Sequence, residues 1–215
     1  MTLVDSLNRG AADAGGSVLA TGTRVLGALR PAAKPLHPVG RVVASRLHRS
    51  GLGTGVAFLD DAGDQQVVVR ESRAIGLPEV LPDIHGLAIR VVNPDGSPGD
   101  LLLATTGWGR LTRFLLTASR TPYGRPMTTL LPYRTVVGPV LLGARSGSPG
   151  IVQLACAVGA GPWRPFAELV VSRDDAPDQA ISFDPVRNRV DGLEQYPVVT
   201  RLRAPAYSAA RRSRA

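Results

Sequence analysis

The sequence predicts a mainly β chain of the α+β class: an antiparallel barrel or sandwich that follows a leader helix and ends in a C-terminal helix. Two observations support this prediction. From residue 37 onward, short segments rich in Val, Ile, Leu and Thr alternate with turns that contain Asp and Gly. Before that point, apolar residues recur at helical spacing. The length of 215 residues is enough for one domain with a sizeable core.

The N-terminal leader, residues 1–33, is predicted to be helical in its second half. Pro31 ends the helical pattern, and three glycines between residues 10 and 16 weaken its first half, so the expected helix covers residues 17–30. The apolar face of this helix consists of Val18, Leu19, Val25, Leu26 and Leu29.

Residues 34–215 are predicted to form one domain with a closing helix. The predicted strands cover residues 40–44, 54–59, 65–71, 87–92 and 101–105, and then residues 135–142, 150–158 and 167–172. A helix predicted over residues 111–119 separates these two sets. Ala206, Ala209 and Ala210 favour the closing helix after Pro205.

Much of the net charge of +8 lies in the last fifteen residues, which contain five arginines and no acidic residue. A basic tail can bind nucleic acid, but aromatic residues make up only 5% of the chain and do not alternate with basic ones. No base-stacking platform is therefore predicted, and nucleic acid is not an expected partner. The simpler interpretation of this charge is a helix end exposed to solvent. A third interpretation is that the basic residues bind an acidic cofactor.

Cys156 is the only cysteine, and it lies in an apolar segment that predicts a buried, inert thiol. One cysteine forms no disulfide within the chain, which fits a reducing compartment. The N-terminus lacks the basic and apolar regions of a secretory signal, and no apolar run is long enough to span a membrane. We therefore expect a cytoplasmic protein without a membrane partner.

A chemically suggestive pattern stands at each end of the predicted domain. Arg203 and Tyr207 are four residues apart and share a helix face. A guanidinium beside a phenol favours the phenolate, which can bind iron, although an ordinary amphipathic helix end is the alternative. His37 precedes the first strand, where it is either structural or a proton carrier. No two histidines lie at metal-ligand spacing, so no zinc site is predicted.

Several ordered motifs across residues 34–214 resemble those of catalases. They are His37-Pro38-Val39-Gly40, Arg70-Glu71-Ser72, Asp83-Ile84-His85-Gly86, Phe183-Asp184-Pro185, and Arg203 followed by Tyr207, Arg212 and Arg214. The resemblance implies an antiparallel catalase-like β-barrel whose C-terminal helix carries the proximal ligand of haem b.

The resemblance also implies a role for each matched residue. Tyr207 would ligate ferric iron, assisted by Arg203. His37 would act as general base and then acid, oriented by a hydrogen bond from Ser72. The haem propionates would be held by three basic residues, Lys34, Arg70 and Arg214.

Two departures from the catalase pattern affect the expected activity. Ala104 stands where that family has a distal asparagine, and the neighbouring Thr105 is the candidate replacement donor. His85 stands in place of an arginine. We therefore expect a catalase-related, peroxidase-like enzyme that acts on hydrogen peroxide or an organic hydroperoxide. The alternative is a haem-free barrel that binds an apolar small molecule or has a structural role. A homo-oligomer is possible in either case.

Overall fold

A computed structural model describes residues 40–78, 80–172 and 181–201. The predicted leader helix and closing helix lie outside these residues. The described strands are β1 (Gly40–Arg49), β2 (Gly63–Arg73), β3 (His85–Val92), β4 (Pro98–Thr105), β5 (Met127–Thr128), β6 (Tyr133–Thr135), β7 (Gly138–Ser146), β8 (Ile151–Val158), β9 (Arg164–Val171) and β10 (Glu194–Gln195). A short helix, α1 (Ala57–Asp60), and a 3-10 turn, Thr112–Phe114, lie between strands.

Within the described residues, eight strands close into an antiparallel barrel in the order β1, β2, β3, β4, β5, β7, β8, β9 and back to β1. β6 and β10 extend the sheet from one side of β7. The predicted mainly β chain with an antiparallel barrel is therefore confirmed.

Alternation along the strands separates an interior face from an outer face. Val43, Val69, Ile89 and Leu101 are paired across β1 to β4 and belong to the apolar core. Their immediate neighbours in sequence consequently point outward. β-Branched residues suit these strands because they pack well on a pleated surface.

The two ends of the barrel are closed differently. The end that we call lower carries the β1–β2 connection, where α1 and the Val190–Leu193 bridge add side chains to the core. The end that we call upper carries the β2–β3 connection, residues 74–84, beside the segment that follows β4. No helix of the described residues combines the length and the hydropathy needed to cross a membrane.

Two of the predicted elements are wrong. Residues 54–59 form a loop and the start of α1, because the Asp60 carboxylate accepts hydrogen bonds from the backbone N–H groups of Thr54 and Gly55 and turns the chain. The helix predicted over residues 111–119 is only the 3-10 turn. Beyond it the chain is extended, and Leu116 forms a β-bridge with Thr106.

Candidate functional site

The outer face of β1 to β4 brings together positions that are far apart in the sequence. The register places one residue of each strand in an upper row and one in a middle row. The upper row consists of Gly40, Ser72, Gly86 and Ala104. The middle row consists of Val42, Arg70, Ala88 and Leu102. The upper row therefore carries no side chain larger than that of serine.

Arg70 supplies a buried positive charge on this face. Its exposure is 5%, and the predicted alternation of Arg70 and Ser72 on one strand face is observed. The guanidinium lies beside Gly40, where an added Cβ would approach the Arg70 Cζ and Nη2 atoms to 2.6 Å. A side chain at position 40 would consequently displace the guanidinium, so glycine is required for close packing and not for an unusual backbone angle.

Thr105 does not occupy the position expected of a donor beside Ser72. It alternates with Ala104, so it faces away from the outer rows. Its buried hydroxyl donates to the Thr117 carbonyl oxygen at 2.7 Å and accepts from the His85 backbone N–H at 3.2 Å. The hydroxyl proton is therefore directed to a backbone carbonyl, and the geometry gives Thr105 a structural role.

The Asp83-Ile84-His85-Gly86 motif organises the chain before β3. The fully buried Asp83 carboxylate accepts hydrogen bonds from four backbone N–H groups, those of residues 75, 76, 77 and 84. Burial opposes the charged form, but these donors prevail and lower the pKa of Asp83. His85 is buried, and its Nε2 lies 3.1 Å from the Ser119 carbonyl oxygen. Both residues thus hold the upper end together.

A segment that follows β9 lies against the outer face. It is held there by an ion pair that the sequence motifs did not indicate. Arg90 of β3 and Asp100 of β4 are paired across the two strands and joined by contacts of 2.7 and 2.8 Å. Asp100 also accepts from the Asp184 backbone N–H and the Asn188 amide, each at 2.7 Å. The hydrogen bonds raise the pKa of Arg90.

The same arginine contacts the segment on its other side. Arg90 donates to the Ser182 carbonyl oxygen at 2.6 Å, and its guanidinium lies 4.9 Å from the centre of the Phe183 ring. The Phe183-Asp184-Pro185 motif is thereby fixed directly below the middle row. Opposite charges placed symmetrically around the Asn93–Gly96 turn were the sequence signal that could have revealed this pair.

Five of the predicted site residues lie outside the described part of the chain: Lys34, His37, Arg203, Tyr207 and Arg214. His37 precedes Gly40 by three residues in the sequence, and Arg203 follows the last described residue, Arg201, by two. Among the described residues there is no group of three or more His, Cys, Asp or Glu side chains that could hold a metal ion.

The remaining candidate side chains have ordinary roles in the described structure. Cys156 is buried on β8, and burial raises the pKa of its thiol, as expected for an inert residue. His48 lies on the barrel surface, where its Nδ1 is 2.7 Å from a carboxylate oxygen of Asp64.

Comparisons with known proteins identify relatives of the fold. No protein-family model matches the chain, and no curated protein sequence matches it. Solved structures of catalases do match. A bacterial catalase is 14% identical with a TM-score of 0.57, and 86% of this chain aligns with 58% of that one. A fungal catalase is 12% identical, with a TM-score of 0.58 and 86% and 60% of the two chains covered.

Catalase A from Saccharomyces cerevisiae is 12% identical with a TM-score of 0.59, and the alignment covers 86% of this chain and 62% of the yeast chain. The chain thus spans about three fifths of the length of the catalases that it matches. At this level of identity the similarity concerns the fold alone. The barrel and its register, together with these matches, show that the chain has a catalase-like fold.

Proposed function

We propose that this chain is a haem-dependent, catalase-related peroxidase that converts hydrogen peroxide or organic hydroperoxides. One observation carries the proposal. The register brings Gly40, Arg70, Ser72 and Ala104 onto one outer face, although these residues come from three separate strands. Each of them occupies a position matched to a catalase motif in the sequence. Independent motifs that converge on one surface support a shared site there.

The outer face fits a flat, apolar group that carries acidic arms. Small side chains in the upper row leave few atoms projecting from the strands where a planar ring would lie, and Val42, Ala88 and Leu102 would add apolar contact below it. A guanidinium that is almost fully buried, as in Arg70, favours an anionic partner. A porphyrin with two propionates combines these properties.

Each proposed residue would hold or orient one part of the cofactor. Arg70, with Lys34 and Arg214, would bind the propionates through charge-assisted hydrogen bonds. The Tyr207 phenolate oxygen would be the proximal iron ligand, and Arg203 would stabilise the phenolate. When bound, haem supplies the redox chemistry that cleaves the oxygen–oxygen bond.

The protein's own catalytic task is to move a proton. His37 would take the proton from the hydroperoxide O–H group and return it to the other oxygen, which leaves as water or an alcohol. Ser72 lies in the same row as Gly40, and Gly40 follows His37 by three residues in the sequence. A hydrogen bond from Ser72 would fix the imidazole tautomer.

Ala104 accounts for the preference that we propose between substrates. Its methyl group stands two strands from Ser72 in the upper row and offers no hydrogen-bond donor. Thr105 does not replace the missing donor, because its proton is held by Thr117. A distal face without an amide donor would turn over hydrogen peroxide more slowly than a catalase does, and it leaves room for the alkyl part of an organic hydroperoxide.

Expression with excess haem tests this function. We expect about one haem per chain, a Soret band, and consumption of an alkyl hydroperoxide such as cumene hydroperoxide. His37→Ala should keep the Soret band and lower turnover by about a hundredfold or more. The matched control is His48→Ala, at the exposed surface histidine, which should leave both unchanged. A colourless protein that apolar ligands stabilise against heat would instead support the haem-free alternative.

A further inference from the structure

The upper end of the barrel carries an exposed aliphatic loop. This apolar loop, described for residues 74–78 and 80–84, joins β2 to β3. Among the described residues, twelve large hydrophobic side chains are exposed, and four of them lie in this one loop: Ile75, Leu77, Val80 and Leu81. Val80 is 83% exposed and Ile75 is 57% exposed. Isolated exposed apolar residues are common, but a concentration of this kind indicates an interaction surface.

The apolar loop is held in this conformation by hydrogen bonds. The buried Asp83 carboxylate accepts from the backbone N–H groups of Ile75, Gly76 and Leu77. Arg73 donates to the carbonyl oxygens of Pro78 and Leu81 at 3.2 and 3.0 Å. The backbone on both sides of the exposed aliphatic side chains is therefore tied by hydrogen bonds to Asp83 and Arg73.

A basic loop lies beside the apolar loop. Residues 118–126 are joined to it by two backbone hydrogen bonds between Asp83 and Ser119. Tyr123 anchors this basic loop to the barrel, because its hydroxyl donates to the Glu71 carboxylate. Arg120 and Arg125 are exposed, and neither forms an ion pair or a side-chain hydrogen bond within the described residues.

An open depression connects the two loops. It has a volume of about 330 Å³ and is lined by Pro82 of the apolar loop and by Arg120 and Arg125 of the basic loop, among other residues. One continuous surface thus offers aliphatic side chains and, next to them, two positive charges without a protein partner in the described structure.

We propose that the upper end of the barrel docks on an anionic phospholipid membrane surface. The aliphatic side chains would enter the boundary between headgroups and acyl chains, and the two arginines would bind headgroup phosphates and carboxylates. This inference goes beyond the proposed function and does not depend on haem. It departs from the expectation of no membrane partner, which rested on the lack of an apolar run long enough to span a bilayer; attachment to a surface needs no such run.

The size and shape of the patch favour a membrane over a protein partner. Standard protein interfaces bury about 800 Å² on each side, far more than four partly exposed aliphatic side chains provide. The most exposed of these side chains, Val80, has 83% of its surface free and so lies on a projection rather than in a groove. A fluid headgroup layer accommodates a projection without a preformed complementary cavity.

Sedimentation of the full chain with lipid vesicles tests the proposal. We compare vesicles of phosphatidylcholine with vesicles of equal parts phosphatidylcholine and phosphatidylserine. Binding is expected to the anionic vesicles and to weaken as salt is added. The double variant Arg120→Gln with Arg125→Gln should lower the partition coefficient about twenty-five-fold, since each basic residue contributes about fivefold. Val80→Asp should lower it about tenfold or more.

Matched controls lie elsewhere on the same barrel. Arg46→Gln changes an exposed arginine of β1, and Val136→Asp changes an equally exposed valine near Gly55 at the lower end. Both control variants should bind anionic vesicles as the unchanged protein does, and all variants should keep its melting temperature. Equal binding to both vesicle types, or undiminished binding by the double arginine variant, would overturn the proposal. The proposal would also be overturned if Val80→Asp or the double arginine variant changed only the oligomeric state, measured by light scattering. A second copy of the chain would then be the partner.

Discussion

Asp100→Ala should destabilise the barrel by about 3–5 kcal/mol, the usual cost of removing one partner from a buried ion pair. Asp100 is 1% exposed and accepts four hydrogen bonds at 2.7–2.8 Å, two from Arg90, one from the Asp184 backbone and one from Asn188. Its removal leaves the guanidinium of Arg90, whose side chain is only 21% exposed, without its carboxylate. It also leaves a buried backbone N–H without its acceptor.

Urea unfolding followed by the fluorescence of Trp108 and Trp163 measures this loss. At about 2–4 °C per kcal/mol for a chain of this length, the melting temperature in a thermal scan should fall by about 6–20 °C. Removing both charges, in Arg90→Met with Asp100→Leu, should recover a large part of the stability, because no unpaired buried charge remains.

The exposed pair Arg134–Glu194 provides the control. Both side chains are more than half exposed, so Glu194→Ala should cost less than about 1 kcal/mol. The refuting result is a loss of unfolding free energy in Asp100→Ala that is no larger than in Glu194→Ala. The buried pair would then not fix the Phe183-Asp184-Pro185 segment to the outer face.

Three further predictions concern single positions near the site. Gly40→Ala should lower the free energy of unfolding in urea by about 1–3 kcal/mol, because the added Cβ would meet the Arg70 guanidinium. The control Gly147→Ala should change it little, because an added Cβ there has no contact closer than 3.4 Å. Equal effects of the two variants would contradict the close packing at Gly40. Since the pKa of Asp83 is lowered by folding, its stabilisation is complete above the unfolded-state value of about 3.9 and is lost as the pH falls through the lower folded-state value. The destabilisation by Asp83→Asn should therefore shrink progressively below about pH 4, and a pH-independent difference would disprove it. Ala104→Asn should raise hydrogen peroxide turnover relative to cumene hydroperoxide by about tenfold or more if a distal donor is what the upper row lacks, and an unchanged ratio would exclude this explanation.

The seven long strands, β1 to β4 and β7 to β9, and the sharing of one face by Arg70 and Ser72 could be predicted from the sequence. Both predictions rest on alternation, which is a local property that the register preserves. The convergence of Ala104 and Ser72 on one row needed the pairings of β3, because the sequence does not specify which residues of separate strands stand opposite each other.

Other features depend on contacts between distant segments. The role of Thr105 follows from its hydrogen bond to Thr117, which belongs to a segment whose apolar spacing indicated a helix. That segment is extended because pairing with Thr106 satisfies its backbone. The loop at residues 54–59 has a strand-like composition, but the Asp60 carboxylate binds its backbone N–H groups.

The visible spectrum of the haem-loaded protein, compared with that of Tyr207→Phe, tests the central claim most directly. The account predicts a ferric tyrosinate spectrum in the unchanged protein and its loss or a marked shift in Tyr207→Phe. Tyr196→Phe, which changes a tyrosine eleven residues earlier, should leave the spectrum unchanged. A Tyr207→Phe variant with the same Soret band and the same hydroperoxide turnover as the unchanged protein would contradict the account.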